Sequence, residues 1–181
     1  MKFLQTKRLV LRPFLKSDVT KDYISWLNDS EVNKYSMRRF HPQNDFNVND
    51  YFSKVGNDEK ILAFDTKDGV HIGNIKYGPV DWLNRNCEIS ILLGNKNFWN
   101  QGLASESIYI VTKHLFEVLG MHRVGADSCN PAFIKLVTTN LGWTLEGTMR
   151  QRMFLDGERI DYSIIGILKN EFKLIHKFEN G

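Results

Sequence analysis

The chain has few of the residues that build specialised sites. Two cysteines in 181 residues, Cys87 and Cys129, stand far apart and form no CxxC pair. They exclude a disulfide framework and read as reduced core thiols of a cytoplasmic protein. Five histidines make neither HExxH nor a His–Cys cluster, so no metal site is expected. Neither GxxxxGKS/T nor GxGxxG occurs, which sets aside P-loop nucleotidases and dinucleotide folds. The opening MKFLQTKRLVLRPF holds no apolar run long enough for a signal peptide, and no stretch approaches a membrane span. Neither sign of charge dominates: 24 Lys and Arg against 21 Asp and Glu leave a net +3, with the signs interspersed. That is not a nucleic-acid surface, although a mild positive balance suits a polyanionic ligand.

What remains is ordinary globular composition, 42% hydrophobic and 25% charged. The length implies one domain over residues 1–181, with a core of about 7–169 and a tail, 170–181, expected to fray. Monomer and homodimer both stay open. Alternation predicts a first strand at Leu9 to Arg12, ended by Pro13. Asp18 is expected to cap a helix carrying Tyr23, Ile24, Trp26 and Leu27. Residues 36–49 read as a loop, and Val48 to Val55 as helix. Ile61 to Phe64 and Val70 to Tyr77 read as strands, the second broken by Gly78-Pro79. Cys87 to Leu93 is the next strand. Arg123 to Ala126 follows, then a helix opened by Asn130-Pro131. Trp143 to Phe154 and Arg159 to Leu168 form a closing hairpin across Asp156-Gly157.

The most informative run is FWNQGLASESIYIVTKHLFEVLG, Phe98 to Gly120. A strand leads into a short loop with one glycine, Gly102, which opens directly into a long amphipathic helix. First-turn N–H groups lack partners inside the helix, and the dipole adds partial positive charge, so this spot suits phosphate.

Trp99-Asn100-Gln101-Gly102-Leu103-Ala104, followed by Ser105 and Glu106, resembles the acyl-coenzyme A loop of the GNAT superfamily of N-acetyltransferases. That pattern is Arg or Gln, two residues, Gly, one residue, then Gly or Ala. Gly102 and Ala104 match its small positions. Trp99 departs from its first position, but a subgroup similar to the ribosomal-protein alanine acetyltransferases carries Trp there, with glycine where this chain has Asn100. HIGNIKYGPVDW, CEISILLG, CNPAFIKL, LGWTLEGTMR and Asp161 follow in the family's order. The resemblance covers nearly the whole chain. It implies an α/β fold: a single-domain, mixed, mostly antiparallel sheet flanked by helices, with splayed strands at the cofactor site. It also implies acetyl-CoA as donor, no metal, and direct attack of an amine on the thioester in a ternary complex.

The resemblance assigns roles by position. Backbone N–H groups from Gln101 through Leu103, Ala104 and Ser105 to Glu106 would hold the diphosphate. Leu92, Leu93 and Gly94 would offer backbone groups to the pantetheine arm and the oxyanion. Asn130 matches an Asn that contacts the arm, while also capping its helix. Phe133 stands where the family often has Ser, and Lys135 could meet a phosphate. The family's acidic Tyr, seven residues after that Asn, is Val137 here, and one extra residue precedes Leu141. The acid is therefore unassigned. Glu88, flanked by apolar Cys87 and Ile89, is the candidate base, with solvent exposure or pairing to Arg85 as the alternative. A carboxylate in apolar surroundings would have a raised pKa. Asp161 matches a family Asp near the acceptor slot.

Acceptor contacts are expected from YISWLNDSEVNKYSMRRF and the residue after it: Trp26, Tyr35, Arg38 and His41. WLNDSEV is similar to a run in sugar-pathway members, which implies an amino sugar, free or nucleotide-linked. A protein N-terminal alanine or serine, or a weakly catalytic coenzyme A-binding module, are the alternatives.

Overall fold

The computed structural model describes residues 2–179. Its elements are β1 (Leu4–Gln5), β2 (Leu9–Pro13), α1 (Lys21–Asn28), α2 (Asp45–Ser53), β3 (Lys60–Thr66), β4 (His71–Asp81), β5 (Asn86–Leu93), α3 (Leu103–Glu117), β6 (Arg123–Ser128), α4 (Pro131–Lys135), β7 (Thr144–Leu155) and β8 (Glu158–Leu168). One sheet runs in the order β1-β2-β3-β4-β5-β6-β8-β7. Every pairing is antiparallel except β5 with β6.

Alternating side chains divide the sheet into two faces. Leu9, Leu11, Phe64, Ile72, Ile75, Val124, Ile165 and Ile167 enclose α3 in the main core. A smaller cluster on α1 and α2, Tyr23, Leu27 and Val48, packs with Phe14, Trp26, Phe52 and Leu92. Helix α3 is buried round most of its circumference, because the C-terminal segment covers its outer side. Phe172 and Phe178 pack on Tyr109, Lys113 pairs with Glu179, and the Tyr109 hydroxyl accepts the Ile175 N–H at 3.1 Å. The expected fraying of the tail is thus corrected over the described residues.

Three further expectations are corrected. Thr20, not Asp18, caps α1 by accepting the Tyr23 N–H. Asp18 lies further back and takes a bidentate pair from Arg12, whose Nε reaches Asp65 at 2.7 Å. Gly78-Pro79 does not end β4; it occupies a register shift between Tyr77 and Val80, after which pairing resumes. The stretch 36–49 contains a 3₁₀ turn, Met37–Phe40, and the start of α2, capped by Asn44. After α4 the helix widens into a π turn, Leu136–Asn140. A π turn absorbs one additional residue, which accounts for the extra residue before Leu141.

Candidate active site

The parallel pair β5–β6 holds together over only three positions: Asn86 with Arg123, Cys87 with Val124, and Glu88 with Gly125. Beyond Glu88 the strands part, leaving a V-shaped gap in the sheet. A cavity of about 580 Å³ opens there.

The wide end of the gap is closed by the loop before α3. Asn100 and Gly102 both hold left-handed backbone, at φ 58° and 76°. Asn is one of the few side chains that tolerates this region, which explains why the related pattern has glycine at that position. With the chain turned this way, the N–H groups of Gly102, Leu103, Ala104 and Ser105 have no acceptor among the described residues. Glu106 does not join them: its N–H bonds to the Gly102 carbonyl at 3.1 Å. Its carboxylate is 1% exposed and accepts from the Thr6 hydroxyl, the Arg8 N–H and the Arg8 guanidinium. Arg8 also donates to the Gln101 carbonyl at 2.8 Å. Glu106 is therefore a buried anchor of the loop, and Arg8 is the residue that sequence reasoning passed over.

On the other side of the gap, the ladder decides which β5 groups are free. Gly94 and Asn95 both donate to the Ile72 carbonyl, at 3.0 and 3.1 Å. Alternation along an antiparallel pair then turns the backbone of Leu92 toward β4 and that of Ile91 and Leu93 toward the gap. Gly94 and Leu92 are thus not gap donors, which corrects two of the three positions, while the backbones of Leu93 and Ile91 turn toward the gap. The Leu93 carbonyl accepts the Trp99 indole N–H at 2.9 Å. That bond gives Trp99 its purpose, since it ties the loop to the strand end.

On the β6 side, Asn130 Oδ1 caps α4 by accepting the Ala132 N–H at 3.0 Å, which leaves its amide N–H₂ to the cavity it lines. Phe133 also lines the cavity, and Lys135 is exposed outside it. Val137 is fully buried and Thr138 donates back to the Ile134 carbonyl, so neither faces the gap as an acid.

Glu88 lies on the last paired position of β5. Cys87 and Ile89 turn into the core, so Glu88 points to the opposite face and is exposed. The apolar setting expected for it is absent, and no Arg85 ion pair forms among the described residues. Ser90, next on the same face, lines the cavity. Asp161 is corrected outright: its Oδ1 accepts the Gln151 N–H at 2.9 Å and holds the bulge where β7 carries extra residues against β8. The neighbouring residue, Tyr162, faces the cavity together with Asp127 of β6. Burial, then the Asp127 carboxylate that accepts its O–H, push the Tyr162 phenol up to about 12.

The segment after α1 builds a further wall of the cavity. Tyr35 and Arg38 line the cavity. Trp26 does not; its ring lies flat on Gly94, where a β-carbon would come within 2.2 Å of it. His41 is exposed on the far side of the 3₁₀ turn. Lys96 bridges Asp29 and Glu31 at 2.7 and 2.6 Å, and Arg39 donates to the Phe154 carbonyl. The segment is thus fastened to the β5–α3 loop at one end and to the β7–β8 hairpin at the other.

Comparison with known proteins agrees with this geometry. The family model described as acetyltransferase (GNAT) domain matches residues 8–139. The uncharacterized N-acetyltransferase YoaA of Bacillus subtilis is 26% identical over 174 residues, covering 92% of this chain and 96% of that protein. Among solved structures, the Vibrio cholerae spermidine N-acetyltransferase in complex with CoA and spermine has a TM-score of 0.80 at 19% identity, over 90% of this chain and 96% of that one. A GNAT-family acetyltransferase from Bacillus anthracis has a TM-score of 0.76 at 21% identity, over 93% and 99%.

Proposed function

The chain belongs to the GNAT acetyltransferase family, whose members are N-acetyltransferases drawing on acetyl-CoA, and we propose that its own acceptor is the primary amine of a small molecule, an amino sugar first among them. The observation that carries the reading is the set of unpartnered amides at Gly102 to Ser105 standing beside the break between β5 and β6. The residues present fit the donor. The amides and helix start take a diphosphate, the Ile91 and Leu93 backbones and the Asn130 amide meet an arm in the gap, and the cavity receives the acyl end. When bound, acetyl-CoA supplies an acetyl thioester.

The amine nitrogen attacks the thioester carbon, the C–S bond breaks with its electron pair going to sulfur, and the coenzyme leaves as a thiolate that takes up a proton from solvent, with the acetyl group on nitrogen. The amine proton must go to a base, and the developing oxyanion needs a donor. Glu88 is the proposed base, reached through water from the crotch of the gap. The Leu93 N–H is the proposed oxyanion donor. A thiol of pKa about 8.5 leaves near neutral pH without a strong acid.

Tyr35 and Tyr162 provide ring faces, and Asn74 and Ser36 provide hydroxyl partners, which favours a sugar. A protein N-terminus fits less well, because the fastened segment after α1 walls the cavity off from an extended chain. The test is thiol release from acetyl-CoA with amino sugars, alanine- and serine-starting peptides and polyamines. Turnover of an amino sugar, with Glu88→Gln lowering kcat by about 10²-fold at unchanged coenzyme affinity, is expected. Clear preference for a peptide would overturn the acceptor assignment.

A further inference from the structure

Among the described residues, four charged side chains line the cavity, and two of them are already neutralised. Glu31 is held by Lys96 at 2.6 Å, and Lys76 by Glu59 at 3.0 Å. Arg38 and Asp127 have no ion partner among the described residues, and they come from different walls, the turn after α1 and strand β6. The Arg38 guanidinium lies 4.0 Å over the Tyr51 ring. Stacking fixes its plane and leaves its N–H edge free, the geometry that meets a carboxylate or phosphate through two parallel bonds. Asp127 offers the complementary group to an ammonium.

Resting on the acetyltransferase reading above, we infer that the acceptor is an amine that also carries an oxyanion, phosphate or carboxylate, with the amine directed to Asp127 and the oxyanion to Arg38. A polyamine would set a second cation against Arg38. A neutral amino sugar would leave the guanidinium without a counter-charge. A phosphorylated or nucleotide-linked amino sugar, or an amino acid, satisfies both ends.

The test uses acceptors matched except for the anion: glucosamine 6-phosphate against glucosamine, and 4-aminobutyrate against its amide, with spermidine as the polycation. The first pair probes phosphate and the second carboxylate. The anionic member of at least one pair should have the higher kcat/KM by about ten- to hundredfold, with the difference in KM. Arg38→Met should abolish that difference while leaving the KM for acetyl-CoA unchanged, and Arg38→Lys should keep part of it. Equal use of both members in each pair, preference for spermidine, or an equal loss on every acceptor in Arg38→Met overturns the inference. Calorimetric binding of the same compounds to the CoA-loaded protein separates the two readings. Arg38-dependent binding of the anionic member without acetyl transfer sinks the acetyltransferase reading and keeps this one. Acetyl transfer with no preference for an anion does the reverse.

Discussion

Arg8 and Glu106 are joined across the sheet edge by an ion pair in which both Nε and Nη2 of the arginine lie 2.7 Å from Oε2. The arginine reaches past it to the Gln101 carbonyl, so one side chain fastens the loop to the first helical turn. Arg8→Met would strand a carboxylate that is 1% exposed. We expect a loss of about 2–3 kcal/mol, the lower end for such a break, since the Arg8 side chain is partly in solvent. The loosened loop should bind coenzyme A about three- to tenfold more weakly. Adding Glu106→Gln should return part of the stability by removing the stranded charge. Urea denaturation and calorimetry measure both effects; an unchanged coenzyme affinity would deny Arg8 its positioning role.

Gly94 is a contact position, because Trp26 occupies the space a side chain would need. Gly94→Ala forces the indole or the end of β5 to move. The expected cost is about 1–3 kcal/mol in thermal or chemical unfolding. Acetyl transfer should fall with it, since Leu93 is the adjacent residue. A variant with wild-type stability and activity would mean that α1 shifts freely.

His71 should make stability depend on pH. Burial lowers its pKa first, and the Arg12 charge adds to that; the Gly73 carbonyl, Asp18 and Asp65 work the other way and fall short. Tyr23, Trp26 and Phe14 pack round the ring. Above the unfolded value of about 6.5 both states are neutral and the stability is fully present. As pH falls below it, the unfolded chain takes up a proton that the folded chain refuses, and stability declines toward the folded pKa. His114, also depressed by burial, contributes in the same window. His71→Gln should flatten part of the decline between pH 6.5 and the lower folded value, read as urea midpoints. The depression of Asp18 gives a separate loss at lower pH: burial works to raise it, but the bond from Arg12 and the Leu15 N–H outweigh that. An unchanged profile in His71→Gln would assign the decline elsewhere.

Asp161→Asn should be nearly silent in kcat, because Asn Oδ1 can still accept the Gln151 N–H. Tyr162→Phe should raise the acceptor KM by several-fold, about the value of one hydrogen bond beside a charge. Steady-state kinetics on the two single variants settles which of these adjacent residues meets substrate.

Those two residues also mark where the sequence stopped being legible. Strand, loop and helix around Gly102 could be read directly, because the left-handed turn and the small residues leave a local signature. The closing hairpin could be read too, but not the bulge opposite Asp161. Three β7 residues, 150–152, stand opposite Asp161 alone, so its carboxylate is taken up by the bulged backbone while Tyr162, the next residue, turns to the other face. The π turn hid the same way: its extra residue looks like a slip in spacing. Glu88 is legible as a residue of β5, but its surroundings depend on which face the neighbours cover. Arg8 gave no local signal at all, since its partner lies 98 residues away.

With three paired positions between β5 and β6, the eight strands behave as two panels sharing a short seam. A donor's pantetheine amides lying along Ile91 and Leu93 would extend that seam with new rungs, so the loaded protein should breathe less than the empty one. Amide exchange on the outer halves of both strands would then report occupancy, and the melting temperature would climb with coenzyme concentration.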